Sequence, residues 1–545
     1  TVASGGTLDL GTEASPIPSS ISAKLFLSTG SFGGQYGLIV SDGGNFTARG
    51  STRTPFGFAA ASVSAGTSLT ISASLATGWA VGDVIAIGPT TGQGTSSTEE
   101  RTITSPSGTD PLTLNWSGSL SSARTLTADT PIVVANLTRN VVIASSGTTV
   151  VSASGGGGGN NAYVRNLVSN TTSFYVVYAE FDYLGANASG KGGLTFDGGA
   201  VLGAVSSSTF RSGYRGVVLS SATSVTLVGN LYAKSLDAGL VLVAGGLHSV
   251  SDNLAFENSG AGFSVAGSSG NALSNNRAFS NTGDGFSLTG GARDVSISSS
   301  AAHGNTGNGA SITDSAATNV ALHGSSFYSN GGEGISIQDA SDTAISEDNV
   351  FSNGGAGVKI CGSTAKRHYI LGGSLGYDSA SNSKANANGE FRSCSGGGGG
   401  IQVHIKQANI NPANGGVVAT TLCAGDSLAS YNQNGVSGAA HVFGDFQLPA
   451  ASTFTLTHGK RTNAPAYTGP TLVKGAGHTL TSITVTESAV NELFKIVNAG
   501  GTSWTVTGQK SGQVGTITCG ASATCAFSAT QVTFNHVTGS SNKTG

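Results

Sequence analysis

Asp284 and Glu333 are the acidic residues whose spacing suggests chemistry. Each stands directly before a glycine that opens an apolar run, Gly285-Phe286-Ser287-Leu288 and Gly334-Ile335-Ser336-Ile337. The column preceding such glycines reads Arg215, Ala238, Ala261, Asp284, Asn308, Glu333 and Ala356. Asp284 and Glu333 lie two repeats apart, so their carboxylates would be about 10 Å apart, near the upper end for the acid and base of an inverting glycosidase. Solvated turn residues are the expected reading, because the sequence fixes no third group beside the pair. Catalysis by the pair is the alternative. His303, His323 and Asp348 share no column and are expected to be exposed polar residues.

Other motifs carry less. Gly304-Asn305-Thr306-Gly307-Asn308-Gly309 is glycine-rich, but no Lys-Ser/Thr or strand-to-helix context makes it a phosphate cradle. Gly331-Gly332-Glu333-Gly334-Ile335-Ser336-Ile337 approaches a calcium-binding repeat, with Ser336 where the ligating Asp belongs. No catalytic, cofactor-binding or metal-binding residue is assigned, and no cofactor is expected. The cysteines are Cys361, Cys394, Cys423, Cys519 and Cys525, with no metal spacing. Cys361 could pair with Cys394 and Cys519 with Cys525, leaving Cys423 over, as a buried free thiol or, alternatively, the site of an intermolecular bond. Sequons at Asn45, Asn115, Asn136, Asn170, Asn187 and Asn542 permit glycosylation without establishing it.

The element that must position any of these groups is a repeat. Gly216, Gly239, Gly262, Gly285, Gly309, Gly334 and Gly357 are separated by 23, 23, 23, 24, 25 and 23 residues, a solenoid period. Most are followed by a short strand-like run, such as Leu240-Val241-Leu242-Val243 or Val358-Lys359-Ile360. An aromatic column follows as Phe256, Phe279, Phe327 and Phe351, and an amide column as Asn258, Asn281, Asn330 and Asn353. Asn305 keeps the amide column where Ala302 interrupts the aromatic one. Rungs stack about 4.8 Å apart, so apolar columns fill a core and Asn amides can bond up the stack. The pattern predicts a parallel β-helix, right-handed and without an α-helical component.

Composition narrows the class. Charged residues are only 10% of the 545, Gly numbers 84, and 38% are apolar and patterned, which argues against disorder. A net charge of −3 gives no footprint for nucleic acid or an anionic membrane. The sequence lacks Met, which predicts a processed, exported chain, and no apolar run of about eighteen residues is present to span a membrane.

Residues 1–150 read as a Gly-punctuated β domain, with runs such as Tyr36-Gly37-Leu38-Ile39-Val40 and Val141-Val142-Ile143. Within it Gly78-Trp79-Ala80-Val81-Gly82-Asp83-Val84 leads to Glu99-Glu100-Arg101-Thr102-Ile103 and then Leu137-Thr138-Arg139-Asn140-Val141. These phrases resemble the eight-glycine domain that precedes a β-helix in fibrocystin and in cell-surface hyaluronidases of the cell-migration-inducing type. The resemblance extends through Ala179-Glu180-Phe181-Asp182-Tyr183-Leu184-Gly185 to roughly residue 255. It implies that the family's Gly-Arg-Tyr-Pro-x-His-Phe-His phrase falls on Gly190-Lys191-Gly192-Gly193-Leu194-Thr195-Phe196-Asp197. Thr195 and Asp197 replace both histidines, Lys191 replaces the arginine, Ser220 replaces a further histidine, and Ala244-Gly245 replace an acidic pair. The resemblance therefore implies loss of the family's glycan cleavage, since no imidazole is left for proton transfer.

The solenoid is expected over 151–412, continuing weakly past Cys361 through Tyr369-Ile370-Leu371 and Ile401-Gln402-Val403-His404-Ile405. Gly396 to Gly400 mark a join, and 413–545 read as an antiparallel β-sandwich-like domain with runs Thr453–Thr457, Thr481–Val485, Phe494–Val497 and Gln531–Phe534. The expected function is that of a non-catalytic structural or adhesive protein, secreted or held at the cell surface. Its expected partners are identical subunits, in a homo-oligomer, filament or surface layer, and a glycan. The alternative is a polysaccharide-degrading enzyme working on the β-helix face.

Overall fold

Alternating apolar residues at a period near 23 build strands of three to six residues, each pairing in parallel with its counterpart one turn along the chain. In the computed structural model these strands form three long parallel sheets of 11, 12 and 13 strands. The structure describes residues 1–28, 36–90, 98–150, 152–154, 161–362, 367–394, 402–406 and 409–411. Beyond them it describes only the strands His441–Phe443, His478–Val485, Phe494–Gly500, Ser503–Gly508, Gly512–Thr518, Cys525–Ser528 and Val532–Thr538. The fold is a parallel β-helix. Thr453–Thr457, the Gly396–Gly400 join, Cys423, Cys519 and Asn542 lie outside the described residues.

Each turn of the solenoid contributes one strand to each of three faces. The first face carries the glycine-led strands, for example Phe263–Ala266, Phe286–Thr289, Ala310–Thr313, Ile335–Gln338 and Val358–Cys361. The second carries Ala272–Ser274, Arg293–Ser298, Thr318–His323 and Ser341–Ser346, and the third Leu254–Phe256, Arg277–Phe279, Ala301–His303, Ser326–Tyr328 and Asn349–Phe351. The glycines before the first-face strands are required by close approach. A Cβ on Gly285 would lie 2.5 Å from the Ala302 Cβ and 2.6 Å from the Gly309 carbonyl oxygen, neither of which can swing away. Gly285→Val is expected to destabilise the chain by about 3 kcal/mol through overpacking. A thermal midpoint unchanged from wild type would refute this.

The amide column is realised as a buried ladder. The Asn281 Oδ1 accepts from the Asn258 backbone N–H at 3.0 Å and from its Nδ2 at 2.9 Å, and the Asn281 groups donate in turn to the Asn305 Oδ1. Asn305, Asn330, Asn353 and Asn386 continue it upward, and it ends on the carboxylate of Glu390, which accepts from the Asn386 N–H and Nδ2. A second ladder, between the second and third faces, is chemically mixed. Asn230, Asn253 and Asn276 are followed by Ser300, Ser325 and Asp348, each accepting the backbone N–H of the residue one rung below. Its period is hard to follow in the sequence because the residue type changes from Asn to Ser and then Asp along the ladder.

The aromatic column differs from expectation by one residue. Register aligns Phe256, Phe279, His303, Tyr328 and Phe351, whereas Phe327 falls beside Ala255, Ala278, Ala302 and Val350 in the neighbouring column. The rings of Phe279, His303, Tyr328 and Phe351 stack near-parallel at 4.8 to 5.3 Å between centroids. They project outward from the third face yet are almost fully buried.

What covers the lower part of that stack is the N-terminal β region. The solenoid begins earlier than residue 151: Thr7–Leu10, Ala23–Leu27, Tyr36–Val40 and Asn45–Arg49 already belong to the three long sheets. Between these first strands and Val141–Ser145 the chain makes six strands from Phe56 to Asn136. They run antiparallel, and a bridge from Ala59 to Ile71 closes the order into a barrel. Its interior is Trp79, Ile85, Ile103, Leu114 and Trp116. Its outer face, with Ala86, Val133 and Ala135, packs on Leu231, Leu254, Phe256 and Phe279 of the third face. A boundary at 150 thus misses an insertion, because the interrupted first rungs leave no local period.

The phrases that carry the resemblance stitch this insertion in place. Asp83 accepts from the Arg53 Nη1 and the Asn136 Nδ2, both at 2.8 Å. Arg139 donates to the Ser207 carbonyl, and the Asn140 Nδ2 donates to the carbonyls of Ile17, Pro18 and Ile21.

Residues 1–425 with 435–446 form one compact unit, and 426–434 with 447–545 a second. The second contains two three-stranded antiparallel sheets, one of His478–Val485, Val532–Thr538 and Cys525–Ser528, the other of Phe494–Gly500, Ser503–Gly508 and Gly512–Thr518. Cys361 is disulfide-bonded, and register places Cys394 directly opposite it. Among the described residues no helix is long and apolar enough to cross a membrane.

Candidate functional site

Asp284, Asn308 and Glu333 occupy successive rungs at the turn that leads into the first face. They are not independent solvated turn residues. The Asp284 Oδ1 accepts from the Asn308 N–H at 2.7 Å and from the Asn308 Nδ2 at 3.0 Å, and the Asn308 Oδ1 accepts from the Glu333 N–H at 2.8 Å. The Lys359 Nζ, one rung higher, sits 3.0 Å from the Glu333 Oε1. Asn308 and Lys359 are thus the positioning groups that the sequence reading did not find. Asn308 was visible in the same column, but its bonding to both flanking rungs follows only from the register.

The two carboxyl groups differ in environment. Burial raises the Asp284 pKa, against hydrogen bonds from Asn308 that lower it, and the charge of Glu333 adds to the rise. Glu333 is held as an ion pair by Lys359. Beside them, the outward-facing positions of the first face read Ser264, Ser287, Ser311, Ser336 and Lys359, each in register with the next. The result is a shallow hydroxyl-lined strip, edged by one carboxyl held toward its neutral form by burial and one paired with a lysine. Such a pair can divide the roles of proton donor and proton acceptor.

The remaining sequence candidates are accounted for. His303 and Asp348 are corrected from exposed to buried, at 1% and 2% exposure. His303 lies in the aromatic stack, where burial lowers its pKa to about 3, and its Nε2 has no hydrogen-bond partner. Asp348 closes the mixed ladder. His323 is exposed, and its Nδ1 lies 3.0 Å from the Ser346 Oγ. Thr195 is buried, Asp197 pairs with Arg165 at 2.5 Å, and Lys191 stands over the Tyr163 ring. The Asn136 sequon is fully buried, whereas Asn170 is exposed in a turn where its Oδ1 accepts from Thr172.

Fold and site together define a parallel β-helix that carries an acidic pair beside a hydroxyl-rich face. Residues 171–369 match the family described as periplasmic copper-binding protein (NosD). No curated protein matches the sequence. Among solved structures, a double mutant of the periplasmic alginate epimerase AlgG is similar at 14% identity and a TM-score of 0.39, over 49% of this chain and 70% of that one. The A-module of the Azotobacter vinelandii mannuronan C-5 epimerase AlgE6 is similar at 18% identity and a TM-score of 0.30, over 46% and 81%. An alginate lyase from Paenibacillus sp. str. FPU-7 is similar at 14% identity and a TM-score of 0.31, over 50% and 88%. The parallel β-helix itself rests on the three long parallel sheets of this chain. The expectation of a non-catalytic structural or adhesive protein finds no support among these structures, whose names are those of polysaccharide-acting enzymes, and at these TM-scores they assign no activity to this chain.

Proposed function

We propose that the chain cleaves a polysaccharide laid along the first face, with Asp284 as proton donor and Glu333 as base. The observation that carries this reading is the Asp284–Asn308–Glu333–Lys359 arrangement, in which one carboxyl is raised by burial and its partner is ion-paired. In an inverting hydrolysis Asp284 gives its proton to the glycosidic oxygen as the bond to the anomeric carbon breaks. Glu333 takes a proton from the water that attacks the same carbon from the opposite side. A separation of two rungs, about 9.6 Å along the axis, leaves room for that water. Localisation outside the cytoplasm, at the cell surface or in the surrounding medium, goes with this reading.

Copper binding, as in the matched family's description, gains no support from the side chains. Among the described residues no group of three or more His, Cys, Asp or Glu is placed to hold a metal ion.

The test is a panel of neutral and acidic polysaccharides, scored for new reducing ends and, by ultraviolet absorbance, for unsaturated ends. Asp284→Asn and Glu333→Gln are each expected to lower turnover by about two to four orders of magnitude. Wild-type turnover should fall as pH rises through the Asp284 pKa, because the acid form is then lost. Full activity in both variants, or no cleavage of any polymer by the wild type, would remove the proposal.

A further inference from the structure

Among the described residues, the lower end of the solenoid leaves two sheet edges unpaired and its apolar positions only half-covered. Thr7–Leu10 is the terminal strand of the second-face sheet and Ala23–Leu27 that of the third-face sheet, and among the described residues neither pairs with a strand on its outer side. The third edge, Tyr36–Val40, is partly closed by Val2, whose N–H donates to the Ile39 carbonyl at 2.7 Å. Leu8, Leu10, Ala23 and Leu25 stand directly beneath Phe46, Ala48, Val141 and Ile143. Those four are fully buried, while the four below them are only half-buried. Ile21 and Phe26 are exposed at 54% and 59%. Open edges beside an uncovered apolar end favour pairing with another chain.

We infer that this end docks against the same end of a second copy, in a closed twofold dimer. A twofold axis across the solenoid axis, passing through the Tyr36–Val40 side, reverses strand direction. It therefore sets the Thr7–Leu10 edge of one copy antiparallel to the Ala23–Leu27 edge of the other, and the reverse by symmetry. Only registers that keep the pleat in phase preserve a continuous core. One of them places Leu8 opposite Leu25, Leu10 opposite Ala23, Thr7 opposite Phe26 and Asp9 opposite Lys24. Asp9 and Lys24 are the sole charged residues of these two strands. Both are exposed, and neither is engaged in a salt bridge within the described chain. In this register the dimer contains the Asp9–Lys24 pair twice. The docking is closed, so it limits assembly to two copies, and it is independent of the glycan-cleavage reading.

Sedimentation velocity and light scattering on the whole chain test the inference. A concentration-dependent dimer is expected. Asp9→Lys and Lys24→Asp should each weaken it about tenfold or more at low salt, by placing like charges across the seam. The double variant Asp9→Lys/Lys24→Asp should return dimerisation to near the wild-type level. Both positions are exposed, so unchanged circular dichroism and melting will show that the variants fold. A monomer at all concentrations would overturn the inference and leave the two charges as guards of open edges. A double variant no better than the singles would overturn it as well.

Discussion

Asn281→Ala is expected to lower the stability of the solenoid by about 4 kcal/mol, because it leaves several fully buried polar groups without partners. The Asn281 side chain accepts two hydrogen bonds from Asn258 and donates to the Ala255 carbonyl and to Asn305. It is 1% exposed, so water cannot take over these bonds. Alanine strands the Asn258 N–H, one Asn258 amide hydrogen and the Ala255 carbonyl, and each stranded group costs about 1–3 kcal/mol. Asn281→Ser should cost less. In the second ladder Ser300 and Ser325 accept the backbone N–H of the rung below, at 3.1 Å in both cases. Guanidinium unfolding followed by far-ultraviolet circular dichroism should give the order wild type, Ser, Ala in decreasing midpoint. A midpoint for Asn281→Ala equal to wild type would show that the ladder does not hold the stack.

The legible part of the fold is the part that repeats in one residue type. Glycines before the first-face strands are forced by backbone contact between rungs, and Asn258, Asn281, Asn305, Asn330 and Asn353 are forced by the need to satisfy one N–H per turn. Both constraints leave a visible period. The second ladder satisfies the same need with Asn, Ser and Asp in turn, so its period is chemical and not alphabetical. His303 reads as a surface polar residue because its place in the ring stack, between Phe279 and Tyr328, depends on the register between rungs. The first rungs read as a separate domain for a similar reason: an insertion of six strands separates Asn45–Arg49 from Val141–Ser145, and no local window spans it.

The site shows the same division. Asp284 and Glu333 stand out in one column of the sequence, but their inequality does not. It arises from the burial of Asp284, which outweighs the hydrogen bonds that Asn308 donates to it, and from Lys359, which reaches down from the rung above to pair with Glu333. Absence of the histidines expected from the resemblance, at Thr195, Asp197 and Ser220, implies loss of that family's glycan cleavage. It bears on the lower rungs only, whereas the acidic pair sits several rungs higher, where the outward column changes from Val218 and Val241 to serines. Loss of one constellation on a solenoid does not bear on another, since each rung presents its own outward side chains.

The upper end of the solenoid is expected to weaken as pH rises, with Asp348 as the main cause. Both ladders end upward on a buried carboxyl, Asp348 in one and Glu390 in the other. Burial raises Asp348 to about 8, against hydrogen bonds from the Ser325 and Ser346 N–H groups that lower it, while the charge of neighbouring Glu347 raises it further. Burial likewise raises Glu390 to about 7. A carboxyl whose pKa is higher in the folded than in the unfolded chain favours folding while protonated. Its contribution is complete below the unfolded value near 4 and is lost as pH rises through the folded value. The loss should amount to a few kcal/mol spread between about pH 4 and pH 8. Asp348→Asn places the residue found at 230, 253 and 276 in the final position of the ladder and has no proton to lose. Its melting temperature should therefore decline less than that of the wild type, with Glu390 still titrating, and the gap between them should widen as pH rises. Differential scanning calorimetry from pH 4 to pH 9 would reveal this, and a constant gap across the range would mean that Asp348 titrates on the folded chain as it does on the unfolded one.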